Sequence, residues 1–427
     1  MRRLIFLLVL LVAASATAQI NETEVWVGDL AIKDGMLNVT HLKNVSESHP
    51  GYDNQPLFFP NGNTLVFSSQ VMEVDDTGMG VQAKLVDLPS GKITPLPDAK
   101  GFSPTPTPDG MQLMVLRRGR VFLHDLTGKE LRALTDTDTV GYYTPFDDHT
   151  WAMFMNDKDR RIVIYDPATK KMDTMATGAM TAPYRVPNQR AVTFVATEGD
   201  KRVLRKLDLK KRRVETLATI DFPTGGHHVW TSRGTLLMAS GSAIYEWNPA
   251  KPTEWTQVFS SFHPDLMSIT RIALSPKGDR IALVSVPSDE TIIRNTRAES
   301  NRWIALHRPD RVACLFKGDG TVTTAMGRHL QGREAIEVSL AEQFKNRPDI
   351  VYVRTPEAIE LSRSDPSAFE RGTWTGRWNT PVGYVDLSGQ YAAVWRRDVS
   401  SAGARTWMLQ SEVFVPLRCE GRACDER

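Results

Sequence analysis

This sequence is poor in the signatures that announce catalysis. It has no Gly-x-Ser-x-Gly elbow, no His-Glu-x-x-His pair, no phosphate-binding loop and no Rossmann fingerprint. Serine-hydrolase, zincin and nucleotide-dependent chemistries are therefore set aside. It also lacks net charge: 52 Lys and Arg stand against 50 Asp and Glu. That balance excludes the basic field on which nucleic-acid binding depends. The run Lys210-Lys211-Arg212-Arg213 lies between two strand-like segments and reads as a solvated turn. After residue 14 no apolar stretch approaches the roughly 20 residues of a membrane span, so no integral membrane segment is expected in the mature chain. Cysteines number three. Cys314, within Val312–Phe316, reads as a small core residue. Cys419 and Cys424 flank four residues near the C-terminus, and in an exported protein they would close a small disulfide loop. No His or further Cys lies near them, so no metal site is read there, and no cofactor is implied.

What is present begins with a leader. Met1-Arg2-Arg3 is basic, Leu4–Ala14 is a short apolar run, and Ala16-Thr17-Ala18 is a small-residue cleavage site. Residues 1–18 read as a secretory signal peptide, which implies a periplasmic or secreted protein. About 409 residues remain, room for two domains.

A turn then recurs. Pro60-Asn61-Gly62, Pro108-Asp109-Gly110 and Pro276-Lys277-Gly278 each feed an apolar strand, and weaker copies end at Asp148, Asn188 and Gly234. The steps from Gly62 through Gly110, Asp148, Asn188 and Gly234 to Gly278 are 48, 38, 40, 46 and 44 residues. Strand-and-turn units at that period specify a β-propeller, here of six blades. The sixth repeat lacks outer strands. Glu24–Leu30 and Leu37–Leu42 supply the missing pattern, so residues near 24–42 are expected to pair with residues near 270–286 and close the ring. Residues 19–288 resemble the TolB-like six-bladed propellers, the family with Pro-Asp-Gly turns before each second strand. The third, fourth and fifth repeats depart from that turn pattern.

After residue 288 the grammar changes. Thr291–Leu306 carries an amphipathic helical pattern and Gln331–Phe344 a second one, followed by strand candidates at Ile350–Arg354, Glu357–Ser362, Ser367–Trp374, Gly389–Arg397 and Thr406–Val415. Helices followed by a run of antiparallel strands indicate an α+β domain. The expected fold class is mainly β: a six-bladed propeller plus a cone-shaped α+β domain with a curved antiparallel sheet. Residues 292–417 resemble the SnoaL-like branch of the nuclear transport factor two-like superfamily, through Leu315–Gly320, Gly332–Ile336, Glu370–Trp374, Gly389-Gln390-Tyr391 and Trp407. Residues 418–427 form a tail. The resemblance implies a cone that hosts isomerases, dehydratases, cyclases or plain adaptors, and a homodimer through the open sheet face.

Alternation along the strands selects the candidate site. Ala368, Glu370, Gly372 and Trp374 share one face, and Gly389, Tyr391, Ala393 and Trp395 another. Glu370 is the candidate catalytic carboxyl and Tyr391 its hydrogen-bond partner, since the resemblance to ketosteroid isomerases implies an acid with a raised pKa. The competing reading pairs Glu370 with Arg371, Arg377 or Arg396 on the outer face. Trp303, Trp374, Trp395 and Trp407 are candidate ligand-binding aromatics or core filling. In the propeller, His227 and His228 are candidate ligand-binding residues at the channel, or its lining. Asp75 and Asp76 lack the calcium-loop pattern, and the sequons at Asn21, Asn38 and Asn44 matter only in a eukaryotic secretory pathway. The leading reading is a binding protein for an unknown protein, peptide or small apolar ligand; the alternative is an enzyme acting in the cone.

Overall fold

The computed structural model describes residues 22–46, 51–71, 80–399 and 405–424. The signal-peptide reading of residues 1–18, Asn21, Asp75, Asp76 and the last three tail residues lie outside them. Six four-stranded antiparallel sheets make up the first part of the chain. The first five are built from consecutive strands. Blade 1 is Asp53–Phe58, Thr64–Gln70, Val81–Asp87 and Lys92–Lys100; blade 2 runs from Phe102 to Ala133, blade 3 from Val140 to Ala176, blade 4 from Tyr184 to Ile220 and blade 5 from His228 to Ser260. The second strands are buried and largely apolar, as in Leu113–Leu116 and Trp151–Met155, because neighbouring blades cover both faces. The fourth strands lie on the rim, and Glu130–Ala133 is exposed throughout.

The repeating turns work through their side chains. Asn61 Oδ1 accepts from the backbone N–H of Asn63 at 2.9 Å and of Thr64 at 3.0 Å, and Asp109 Oδ1 accepts from Met111 N at 3.0 Å. The glycine that follows each, Gly62 and Gly110, sits at a φ of +71° and +70°, which a side chain would resist.

Blade 6 joins the two ends of the propeller. Its order is Met36–Asn44, Glu24–Lys33, Arg280–Ser285, Ile269–Leu274. Trp26 pairs with Leu283 and Gly28 with Ile281, so the expected closure is present. Alternation then splits the N-terminal strand between two neighbours. Val25 and Val27 pack with Phe58, Leu65 and Phe67 of blade 1, while Trp26 packs with Leu237, Ile244 and Val258 of blade 5.

Four residues after Ser285 the chain enters α1 (Asp289–Ala305). Ser288 caps it, its Oγ accepting from Thr291 N at 3.2 Å, and Asp289 and Glu290 complement the helix dipole. Two shorter helices follow, α2 (Pro309–Cys314) and α3 (Arg333–Asn346). They cover one face of a curved six-stranded sheet in the order His329–Gln331, Phe316–Thr323, Arg405–Glu420, Gly383–Val399, Ser367–Thr380, Val351–Leu361. Four of its five strand pairs are antiparallel; Phe316–Thr323 runs parallel to Arg405–Glu420. Sequence pattern alone does not reveal that parallel pair, and it divides Val351–Leu361 in two at a bulge between Pro356 and Ala358. Cys314 is exposed, not buried, because α2 gives the segment helical spacing: Val312 and Ala313 turn inward and Cys314 outward. Cys419 and Cys424 are joined in a disulfide. No helix among the described residues is long and apolar enough to cross a membrane.

The sheet curls where side chains are missing. A Cβ on Gly389 would lie 1.9 Å from Val415 O, beside a register shift at Ser388/Gly389. Gly389→Ala is expected to lower stability by about 1–3 kcal/mol through overpacking, read as a drop in urea midpoint; an unchanged midpoint would show that the curl does not depend on this glycine.

Candidate functional site

Ser367–Thr380 alternates without interruption: Ala368, Glu370, Gly372, Trp374, Gly376 and Trp378 are inside, Phe369, Arg371 and Arg377 outside. Glu370 is thus carried into the cone, fully buried, and not to the outer-face arginines. Arg371 instead lies 3.9 Å from Glu357, and Arg396 pairs with Asp365.

Its partner comes from α1. Arg297 sits on the buried helix face with Ile293, Ser300 and Ile304, and it too is fully buried. Arg297 Nε donates to Glu370 Oε1 at 2.9 Å and Nη2 to Oε2 at 2.8 Å. Tyr391 Oη donates to Oε1 at 2.5 Å and Trp395 Nε1 to Oε2 at 2.6 Å. Four donors on two carboxylate oxygens use the full accepting capacity of the group. Burial pushes the Glu370 pKa up, but the Arg297 charge and the donors from Arg297, Tyr391 and Trp395 outweigh it and hold the carboxyl below its ordinary value. The raised pKa expected of a catalytic acid is therefore absent. The same surroundings raise the Tyr391 phenol, first by burial and then through the carboxylates. The charges continue in alternation. Arg297 Nη1 lies 2.7 Å from Glu412 Oε1, and Arg354 Nε lies 3.8 Å from that oxygen. Arg354 is anchored by a hydrogen bond from its Nη2 to Ser300 Oγ, and burial holds its pKa down to about 10.

Above this chain of charges lies a cavity of about 650 Å³ between the sheet and all three helices. Its wall is mostly apolar, with Ile304, Phe316, Leu340, Trp374, Trp378 and Phe414 among the lining residues; its polar lining includes the buried Arg354 and Glu412 and, from α3, Glu342, Gln343 and Asn346. Glu370 and Tyr391 do not line it. Neither Arg354 Nε nor Glu412 Oε1 makes a hydrogen bond of good geometry.

Of the four tryptophans expected to bind ligand, only Trp374 reaches the cavity. Trp303 is buried on α1, with the guanidinium groups of Arg302, Arg308 and Arg311 within 6 Å of its ring. Trp395 serves the Glu370 network, and Trp407 donates to Asp289 Oδ1 at 3.0 Å. Trp378, Arg354, Glu412 and Arg297 were not anticipated. Arg297 had a signal: an arginine at the helical spacing of Ile293 and Ile304 must be buried with that face, and a buried guanidinium requires a buried acid.

His227 and His228 sit side by side at the first strand of blade 5 but do different things. His228 is buried; its Nδ1 donates to Gly226 O at 2.9 Å, and its Nε2 accepts from Thr193 Oγ1 at 2.9 Å. His227 contacts Tyr184 Oη at 2.6 Å and Arg271 Nη2 at 3.0 Å. No group of three or more His, Cys, Asp or Glu among the described residues is arranged to hold a metal ion.

No family model and no curated protein matches the sequence. Among solved structures, a TolB candidate from Agrobacterium tumefaciens is similar over 62% of this chain and 98% of its own, at 13% identity and a TM-score of 0.43. A scytalone dehydratase candidate from Novosphingobium aromaticivorans is similar over 30% of this chain and 83% of its own, at 17% identity and a TM-score of 0.26. A conserved protein from Planctomyces limnophilus is similar over 30% of this chain and 98% of its own, at 20% identity and a TM-score of 0.26.

Proposed function

We propose that this chain is an exported binding protein whose cone holds a small, largely apolar ligand, with the propeller as the rigid body that presents it to a protein or peptide partner. The observation that carries the reading is the 650 Å³ cavity, with a largely apolar wall of aromatic and aliphatic side chains and a buried Arg354–Glu412 pair among its polar lining. That size and lining suit a compact ring system bearing one hydroxyl or carbonyl, which would meet the guanidinium and the carboxylate while its rings lie against Trp374, Trp378 and Phe414. Binding is favoured over catalysis because Glu370, the carboxyl best suited to act as a base, spends both oxygens on four internal donors and does not line the cavity. A general base must come within hydrogen-bond reach of the proton it takes. The Cys419–Cys424 disulfide supports export, since such bonds persist in oxidising compartments.

The test is titration with the neutral apolar dye Nile red. Wild-type protein is expected to bind it saturably with enhanced emission, and Leu340→Trp, which fills the cavity from α3, is expected to weaken binding at least tenfold. Dye binding that is absent, or indifferent to Leu340→Trp, would remove the reading.

A further inference from the structure

The innermost strands of the propeller gather side chains from five blades around Arg271: Tyr142, His227 and Tyr184 through hydrogen bonds, and Tyr52 as an electrostatic neighbour. Tyr52 stands at the start of blade 1, Tyr142 in the first strand of blade 3, Tyr184 in that of blade 4, His227 just before that of blade 5, and Arg271 in that of blade 6. All five are half-buried. Blades 3 and 6 face each other across a six-membered ring, yet Arg271 Nη2 reaches Tyr142 Oη at 3.3 Å. The guanidinium therefore spans the channel.

The protons can be assigned from this geometry. A guanidinium only donates. Arg271 Nη2 gives one proton to Tyr142 Oη and one to His227 Nε2 at 3.0 Å. His227 Nε2 is thus an acceptor, so in the neutral ring the proton is on Nδ1, where it is donated to Tyr184 Oη at 2.6 Å. Burial first, and then the Arg271 charge, hold His227 well below its ordinary pKa, which keeps the ring neutral. Both Tyr142 and Tyr184 accept in these contacts, so each keeps its own O–H to give away. The Tyr52 hydroxyl has no hydrogen-bond partner among the described residues, and neither do Nε and Nη1 of Arg271. No carboxylate pairs with Arg271 among the described residues; its electrostatic neighbours are Tyr184, Tyr142 and Tyr52. A guanidinium with no carboxylate partner among the described residues, ringed by three phenolic groups and one neutral imidazole, suits an anionic ligand.

We infer that the propeller channel binds a small organic monocarboxylate, its carboxylate seated on Arg271 and capped by the hydroxyls of Tyr52, Tyr142 and Tyr184. One positive charge matches one negative charge. A phosphate dianion would leave an uncompensated negative charge in a half-buried site walled by aromatic rings. The tyrosine rings that supply the donors also supply apolar walls for the organic part of the ligand.

Isothermal titration of the full chain with sodium benzoate, in constant chloride, tests the site. The Leu340→Trp background closes the cone, so a benzoate signal that persists there belongs to the channel. Saturable binding is expected in that background, and Tyr142→Phe and Tyr52→Phe are each expected to weaken it about tenfold or more, the usual loss for a hydrogen bond to a charged group. Arg271→Met should abolish it; should that variant fail to fold, the two Tyr→Phe variants decide, because each removes a single hydroxyl. Three results would overturn the inference: no benzoate heat in the Leu340→Trp background, benzoate affinity unmoved by the Tyr→Phe changes, or inorganic phosphate binding as tightly as benzoate.

Discussion

Arg297→Met is expected to destabilise the protein by about 3–5 kcal/mol, the cost of stripping a buried ion network of its central cation. Arg297 lies between two carboxylates, Glu370 at 2.8 Å and Glu412 at 2.7 Å, and no solvent reaches any of the three to a useful extent. Methionine fills the space of the guanidinium stem but leaves Glu370 with only Tyr391 and Trp395 as donors. Adding Glu370→Leu to Arg297→Met should recover part of the loss, because the remaining Glu412 and Arg354 still offset each other while an isolated buried carboxylate is gone. Urea unfolding of the two variants measures this. A single variant as stable as wild type, or a double variant worse than the sum of its parts, would count against the network as described. The same contacts fix the response to acid. The Glu370 pKa in the folded protein lies below the ordinary 4.5, so the stability due to the ionised group is complete above that pH. It is lost as pH falls through the lower, folded-state value. Glu370→Gln should flatten that acid limb.

Removing residues 22–46 is expected to have a still larger effect: loss of the closed propeller and aggregation of the product. Without Glu24–Lys33 and Met36–Asn44, blade 6 keeps only two strands, and Arg280–Ser285 becomes an open edge of apolar residues. The packing of Val25 and Val27 against blade 1 and of Trp26 against blade 5 would go with them. Val25→Asp is the milder form of the test. Val25 is fully buried, and a carboxylate there would sit in an apolar cluster with Phe67 and Val284. A loss above about 4 kcal/mol is the expected scale for such a change. A truncated chain that stays monomeric with an unaltered melting temperature would show that the ring does not need its clasp.

The propeller was legible because its turns carry their own chemistry. Asn61 and Asp109 fold the chain through their side-chain oxygens, so the period survives without any knowledge of tertiary contacts. The inward face of Ser367–Thr380 was legible for a similar reason, since strict alternation leaves Glu370 no choice but the interior once Trp374 and Trp378 are placed there. What alternation along one strand does not reveal is the partner on another element. Arg297 is 73 residues from Glu370 in sequence, and its presence reversed the expected direction of the Glu370 pKa. The cavity was hidden for the same reason: its buried charged pair joins Arg354 from one strand and Glu412 from another. Cys314 was misread because six residues of helix beginning at Pro309 are too few to show a period.

Trp26 and Leu283 pair across 257 residues of chain. During synthesis Glu24–Lys33 and Met36–Asn44 precede Arg280–Ser285, and the inner edge of Glu24–Lys33 has no strand to bind until the sixth repeat follows. The hairpin that these first two strands form must wait, with one edge of Glu24–Lys33 unpaired, through the making of five blades. Closing so long a span also carries a large entropic cost that only the finished ring can repay. The last step in closing the propeller is therefore the joining of Glu24–Lys33 to Arg280–Ser285, and a chain stalled anywhere before residue 285 would present the open edge of Glu24–Lys33 to its surroundings.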